Sequence, residues 1–303
     1  MFERVLTATD LLEACDVAVI TALEIVKREN GKLFVLHVLE PTYFQECGPL
    51  ETVRHFKTGE EIAASYEYRE AVKNELDQKC SGALKPYGNY EICISYGRPS
   101  LEIRRWSRKY RADLIVLGAH AGKIEEGLIG NRIGNTVEDV IMHATVPVMV
   151  VNRFIPRDKL SFHMIMVCVD FSRSCGHAVE FAKKLAIKYG ARLVFFHMIP
   201  QLSAGETGRP GDGKALEQKL REFCGIQEKI PHEFFIAEGT HPSTEILHIA
   251  REKNVDVIVM GSHTSMSEKT WYVGSVVDAV SAQSPCPVIV VTHPELFAKM
   301  GTE

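Results

Sequence analysis

What this 303-residue chain lacks narrows its reading first. No apolar run approaches the ~20 residues that cross a bilayer, and the opening MFERVLTATD passes from a charged pair straight into a strand-like segment. It has no basic stretch followed by an apolar core, so no secretory leader is expected. The eight cysteines (15, 47, 80, 93, 168, 175, 224 and 286) include no C-x-x-C pair, which leaves zinc and redox motifs unsupported. Free, mostly buried thiols in a reducing cytoplasm are expected instead of disulfides. Neither charge sign dominates: 35 Lys and Arg stand against 39 Asp and Glu, for a net charge of −4. That balance argues against nucleic acid as a partner. H-E-x-x-H, G-x-S-x-G and paired-carboxylate signatures are all missing, so no catalytic residue and no metal ligand is assigned.

Two phosphate-binding motifs fail as well. GAHAGKIEE at 118–126 contains a Gly-Lys, but three residues separate Gly118 from Gly122 and Ile124 follows Lys123. A Walker loop needs four residues there and a hydroxyl after the lysine. The first two candidate βα turns, TDLLEAC and VDFSRSC, contain no glycine, so the dinucleotide fingerprint is excluded.

What the chain does contain is a copy of itself. RVLTATDLLEAC at 4–15 aligns with MIMVCVDFSRSC at 164–175, and FVLHVL at 34–39 with VFFHMI at 194–199, both offset by 160 residues. RPSLEI at 98–103 aligns with HPSTEI at 241–246, and ADLIVLGAH at 112–120 with VDVIVMGSH at 255–263, now offset by 143. GNTVEDVI at 134–141 aligns with GSVVDAVS at 274–281, and the final PVMVV with PVIVV, offset by 140. The second copy is therefore shorter by 17 residues between its second and third strands and by 3 in the loop after strand four.

Strands are predicted near 3–9, 33–38, 90–96, 113–118 and 147–151, and again near 163–169, 192–198, 232–237, 255–260 and 287–292. Helices are predicted near 13–29, 59–84, 100–111 and 135–144, then 174–189, 213–225, 243–253 and 275–283. The last two strands of each copy are continuous apolar runs, as expected of strands covered on both faces. The fold class read is α/β: two tandem doubly wound, Rossmann-like domains, each an open five-stranded parallel sheet with helices on both faces. Domain boundaries are set at 1–152 and 162–293, with RFIPRDKLS at 153–161 as a linker and 294–303 as a tail.

In such sheets ligands bind beyond the carboxyl ends of the strands. Asp10 and Asp170 follow strand one, His37-Val38 and His197-Met198 end strand two, and a loop follows strand four. In the second copy that loop is GSHTSMSEKTWYVGS: Gly261 is read as admitting a close ligand, and Gly274-Ser275 as a helix start suited to an anion or to ordinary capping. His37 and His197 are expected to be satisfied, partly buried histidines. Lys123, Arg132 and Lys269 read as solvated loop cations.

The Asp after strand one, a Gly-led loop running into Gly-Ser, and the closing P-V-I-V-V strand together resemble the universal stress protein family in its tandem form. The resemblance covers nearly the whole chain twice. It implies ATP or AMP as ligand, with magnesium accompanying a triphosphate. In the second copy it places the adenosine side on Asp170, within D-x-S with Ser172, and on Met198. The phosphate side falls on Gly261, Ser262, His263, Thr264, Gly274, Ser275 and Val276. Thr264 replaces the second glycine of the family's G-x-x-G, and nine residues, 265–273, then separate it from Gly274. The first copy departs further, with Leu12 for the serine, Ala121 for the second glycine and twelve residues before Gly134. Its weaker site would use Asp10, Val38, Gly118, His120, Gly134, Asn135 and Thr136. The resemblance further implies a cytoplasmic stress-response regulator rather than an efficient enzyme, slow ATP hydrolysis being left open. It also implies intramolecular pairing of the domains' last strands and a homodimer. The alternative is a scaffold of the same fold that binds no nucleotide.

Overall fold

A computed structural model describes residues 1–11, 13–42, 52–55, 57–120, 132–156, 160–200, 212–226, 229–262 and 273–292. The chain divides into two compact units, Met1–Ile129 with Gly134–Phe154, and Gly130–Ile133 with Ile155–Glu303. Ile155 and Leu160, in the expected linker, are buried. None of the described helices is long and apolar enough to cross a membrane.

The first unit runs β1 (Arg4–Ala8), α1 (Glu13–Glu29), β2 (Lys32–Leu39), β3 (Thr52–Arg54), β4 (Glu61–Ala63), α2 (Tyr66–Leu84), β5 (Tyr90–Tyr96), α3 (Pro99–Tyr110), β6 (Leu114–Gly118), α4 (Asn135–His143) and β7 (Val148–Val151). Its parallel strands lie in the order β7-β6-β1-β2-β5. Every residue of LIVLG and VMVV is buried, because helices cover both faces. The α1 helix packs on β1 and β6, while α3 and α4 pack on each other, α3 against β1 and β2 and α4 against β7.

The second unit repeats the plan: β8 (Met164–Cys168), α5 (Arg173–Tyr189), β9 (Arg192–Pro200), α6 (Asp212–Cys224), β10 (His232–Gly239), α7 (Pro242–Glu252), β11 (Val257–Gly261), α8 (Ser275–Gln283) and β12 (Val288–Val291). Its strand order is β10-β9-β8-β11-β12, all parallel. Register is repeated too: Arg4 lies opposite Lys32 as Met164 lies opposite Arg192.

One predicted element is corrected. The helix expected from 59 begins at Tyr66, where Ser65 caps it by accepting from the Tyr68 N–H. The residues before it form an antiparallel hairpin, with Thr52 opposite Ala63 and Arg54 opposite Glu61. A serine caps well because its oxygen satisfies an orphan N–H of the first turn. Gly59, at φ 73°, supplies the left-handed turn residue that a helix interior would not accommodate.

Both units share a device at the amino ends of their strands. Asp113 Oδ2 accepts from the N–H groups of Glu3 (2.7 Å) and Arg4 (3.1 Å), and Asp256 Oδ2 accepts from His163 (2.8 Å) and Met164 (3.0 Å). One carboxylate thereby fixes where strand one begins against strand four. Replacing Asp256, which is buried, by Ala orphans both donors and is expected to cost about 1–3 kcal/mol. Chemical denaturation should show a lower midpoint; an unchanged midpoint contradicts this role.

Candidate functional site

The first unit's sheet changes winding direction at β1, whose neighbours are β2 on one side and β6 on the other. Beyond the carboxyl ends of these strands lies a cleft of about 440 Å³, within the ~300–1,000 Å³ range of small-molecule sites. Strand β1 contributes Ala8, Thr9 and Asp10; β2 contributes His37, Val38 and the following Glu40; β6 contributes Leu117, Gly118 and the following His120. Pro99 and Ile103 of α3 add an apolar wall, and the start of α4 adds Gly134, Asn135, Thr136 and Val137. All seven first-copy residues named from the sequence line this one cleft.

The α4 start carries the electrostatics. Gly134 is its N-cap at an ordinary φ of −69°, with no side chain capping it. The first intrahelical bond is donated by Glu138 to Gly134 O at 3.0 Å, so the N–H groups of Asn135, Thr136 and Val137 precede the ladder. Uncapped N–H groups at the positive end of the helix dipole suit an anion. The Gly134 N–H donates to Ala119 O (2.9 Å), which fixes the helix start against the end of β6.

The strand-two histidines behave as expected. His37 is buried and its Nδ1 lies 2.8 Å from Thr9 O; His197 Nδ1 lies 2.7 Å from Val169 O. A carbonyl only accepts, so Nδ1 carries the proton in each ring. Burial pulls the His37 pKa down, so the ring is neutral at physiological pH and ties strand two to the turn after strand one. That turn is left-handed at a non-glycine residue in both units, Leu11 at φ 67° and Phe171 at φ 62°. Such a conformation costs about 1–3 kcal/mol. Local contacts hold it: the Leu11 N–H donates to Thr9 Oγ1 (3.0 Å), and Phe171 packs edge-on against His197 and Phe223.

In the second unit, Asp170 is exposed and its Oδ1 accepts from the Ser172 N–H at 2.9 Å. Ser172 caps α5, accepting from the Cys175 N–H at 3.1 Å. Met198 lies on β9 beside Ala237. Ser262 is fully buried and its N–H donates to Val291 O. Gly274 caps α8 without a side-chain bond, leaving Ser275 and Val276 ahead of the bond from Asp278 to Gly274 O, as at α4. His263, Thr264, Lys123 and Lys269 lie outside the described residues.

Gly261 has a packing role that the sequence did not show. A Cβ there would lie 2.6 Å from Ser174 C and Cys175 N. The missing side chain admits the first turn of α5 against β11.

Residues the sequence reading missed include Arg54, His55 and Gly59 of the hairpin, all lining the first cleft. Their signal was the 17 extra residues of the first copy. Three of the described thiols are held protonated at neutral pH and so are poor nucleophiles: burial pushes Cys175 and Cys224 up to about 12 and raises Cys168 well above its usual value.

Fold and site together define a tandem α/β protein in which each unit presents an uncapped helix start at the strand ends. The universal stress protein family's sequence model matches residues 1–152 and again 161–292, and the chain belongs to that family. Its fold is similar to that of a universal stress protein from Archaeoglobus fulgidus, with a TM-score of 0.67 at 25% identity over 96% of each chain. Universal stress protein Rv1996 of Mycobacterium tuberculosis is 26% identical over 272 residues, covering 84% of this chain and 80% of its own. Universal stress protein MJ0577 of Methanocaldococcus jannaschii is 44% identical over 157 residues, covering 44% of this chain and 96% of its own.

The Gly261 geometry yields a prediction. Gly261→Ala should destabilise the second unit by about 1–3 kcal/mol through overpacking, seen as an earlier thermal transition without any nucleotide present. A variant as stable as the parent would return this glycine to the ligand-approach role.

Proposed function

We propose that this tandem universal stress protein binds an adenine nucleotide, ATP or AMP, at the strand ends of each repeat and acts as a nucleotide-dependent regulator in the stress response. The observation that carries the reading is the first unit's cleft. Seven residues named beforehand from the sequence converge there, beside a helix start with three N–H groups ahead of its first intrahelical bond. Apolar residues (Ala8, Val38, Ile103 and Leu117) offer walls for a base, and the α4 start offers donors for a phosphate.

The second repeat supports a site by a different route. Its loop keeps the family's spacing from Gly261 to Gly274-Ser275 except at Thr264, so on sequence grounds it is the tighter of the two. Among the described residues, no group of three or more His, Cys, Asp or Glu could hold a metal ion. Magnesium would enter on a triphosphate, with no dedicated protein ligand set. Pairing of the domains' last strands and dimerisation remain part of the proposal, by analogy with the family.

Nucleotide released on denaturing the purified protein, together with calorimetric titration with ATP and AMP, tests the reading. Two sites are expected. Gly274→Val should remove the tighter and Gly134→Val the weaker. A Cβ at Gly134 would lie 3.7 Å from Ala119 O, an ordinary contact, so a Gly134→Ala control should fold normally and retain binding more than Gly134→Val. The absence of both released nucleotide and a titratable site would favour the scaffold reading instead.

A further inference from the structure

Among the described residues the first repeat contains a hairpin and the second, 17 residues shorter between the same strands, contains none; the hairpin is built into the cleft wall. Arg54 donates its backbone N–H to Glu40 O (2.9 Å), Thr42 donates to Thr52 O (3.4 Å), and Pro41 bridges Val53, which is fully buried. Strands β3 and β4 are thereby fixed to the chain leaving β2. The His55 N–H donates to Glu60 O (2.8 Å), and His55 Nδ1 accepts from the N–H groups of Lys57 and Thr58, each at 3.3 Å. Because Nδ1 accepts, Nε2 carries the proton and serves as a donor. The His55 ring also packs against Tyr68 of α2, with centroids 5.8 Å apart.

Position along the cleft decides what this wall faces. The α4 start is tied to the end of β6 by the bond from Gly134 to Ala119, whereas the hairpin is tied to the end of β2. In the sheet, β1 separates β6 from β2. Two inter-strand spacings, about 10 Å, therefore lie between the anion-seeking end and the hairpin end. That is the scale of one nucleotide. With phosphate at α4, the nucleoside falls at the β2 end, between Val38 and the hairpin. Among the described residues, Arg54 is the one lining residue there with a permanent positive charge, alongside the acids Asp10 and Glu40 and the rings of His37 and His55. A planar guanidinium and an imidazole suit the face and edge of a purine.

We propose that the β3–β4 hairpin is a nucleoside clamp specific to the first repeat, in which Arg54 and His55 contact the base and ribose of the bound nucleotide. The inference rests on the nucleotide reading above. It makes the first site a specialised one that recognises the nucleoside from a wall built by its own longer β2–α2 connection.

Arg54→Ala tests it, because the Arg54 side chain is exposed and its anchor to Glu40 is a backbone bond that the substitution retains. In a Gly274→Val background, which isolates the first site, calorimetry with adenosine and with AMP should show both affinities falling together, by roughly 10-fold. His55→Ala should lower both in parallel. If adenosine affinity is unchanged in both variants, the clamp is overturned, whether or not AMP binding weakens. If the Gly274→Val background itself binds neither ligand, the nucleotide reading of the first site fails, and the clamp fails with it. Binding by that background with no response to Arg54→Ala or His55→Ala sinks the clamp alone.

Discussion

The structure depends on burying parallel strands on both faces. LIVLG and VMVV in the first unit, and VIVV in the second, have no exposed residue, and their backbone groups are spent on neighbouring strands. Helices must then cover both sheet faces, and the open ground for a ligand is the rim where strands end and helices begin. The cleft of the first unit lies on that rim because the winding reverses at β1 and separates the loops there. Its uncapped α4 start, neutral His37 and apolar walls follow from this placement.

Duplication shows which features the fold needs and which the site needs. The carboxylates of Asp113 and Asp256 hold equivalent strand starts, and the rings of His37 and His197 hold equivalent strand ends. Leu11 and Phe171 adopt the same left-handed turn despite their different shapes. These recurrences are scaffold. The repeats differ at the rim: the second has a shorter loop after strand four with Gly-Ser at the helix start, while the first has a longer loop, Gly-Asn, and a hairpin docked against the end of β2. One frame thus carries two different rims.

Much of this was legible in the sequence because it rests on strong local signals. Continuous apolar runs located the strands to within about two residues, and the repeat offsets fixed their equivalence. The hairpin was not legible. TVR and EIA are three residues each, too short for a period to register, and the region was absorbed into the helix that follows. The cap at Ser65 and the turn at Gly59 were the available signals. The packing role of Gly261 was hidden for another reason: a glycine after a strand has the same appearance in sequence whether it makes room for a ligand or for a helix. Only the 2.6 Å approach of Ser174 and Cys175 separates the two. The seven first-copy residues line one cleft because they flank strand ends, which topology brings together whatever their individual chemistry.

The central claim is that the rim of each unit holds an adenine nucleotide. Photolabelling with an azido-adenine nucleotide, followed by peptide mapping, tests it most directly. The account predicts label that excess ATP competes away, in the first repeat on segments 37–40 and 52–60 and in the second around 170–172 and 198. Label that ATP does not displace, or that falls on the amino ends of the strands near Asp113 and Asp256, would contradict it.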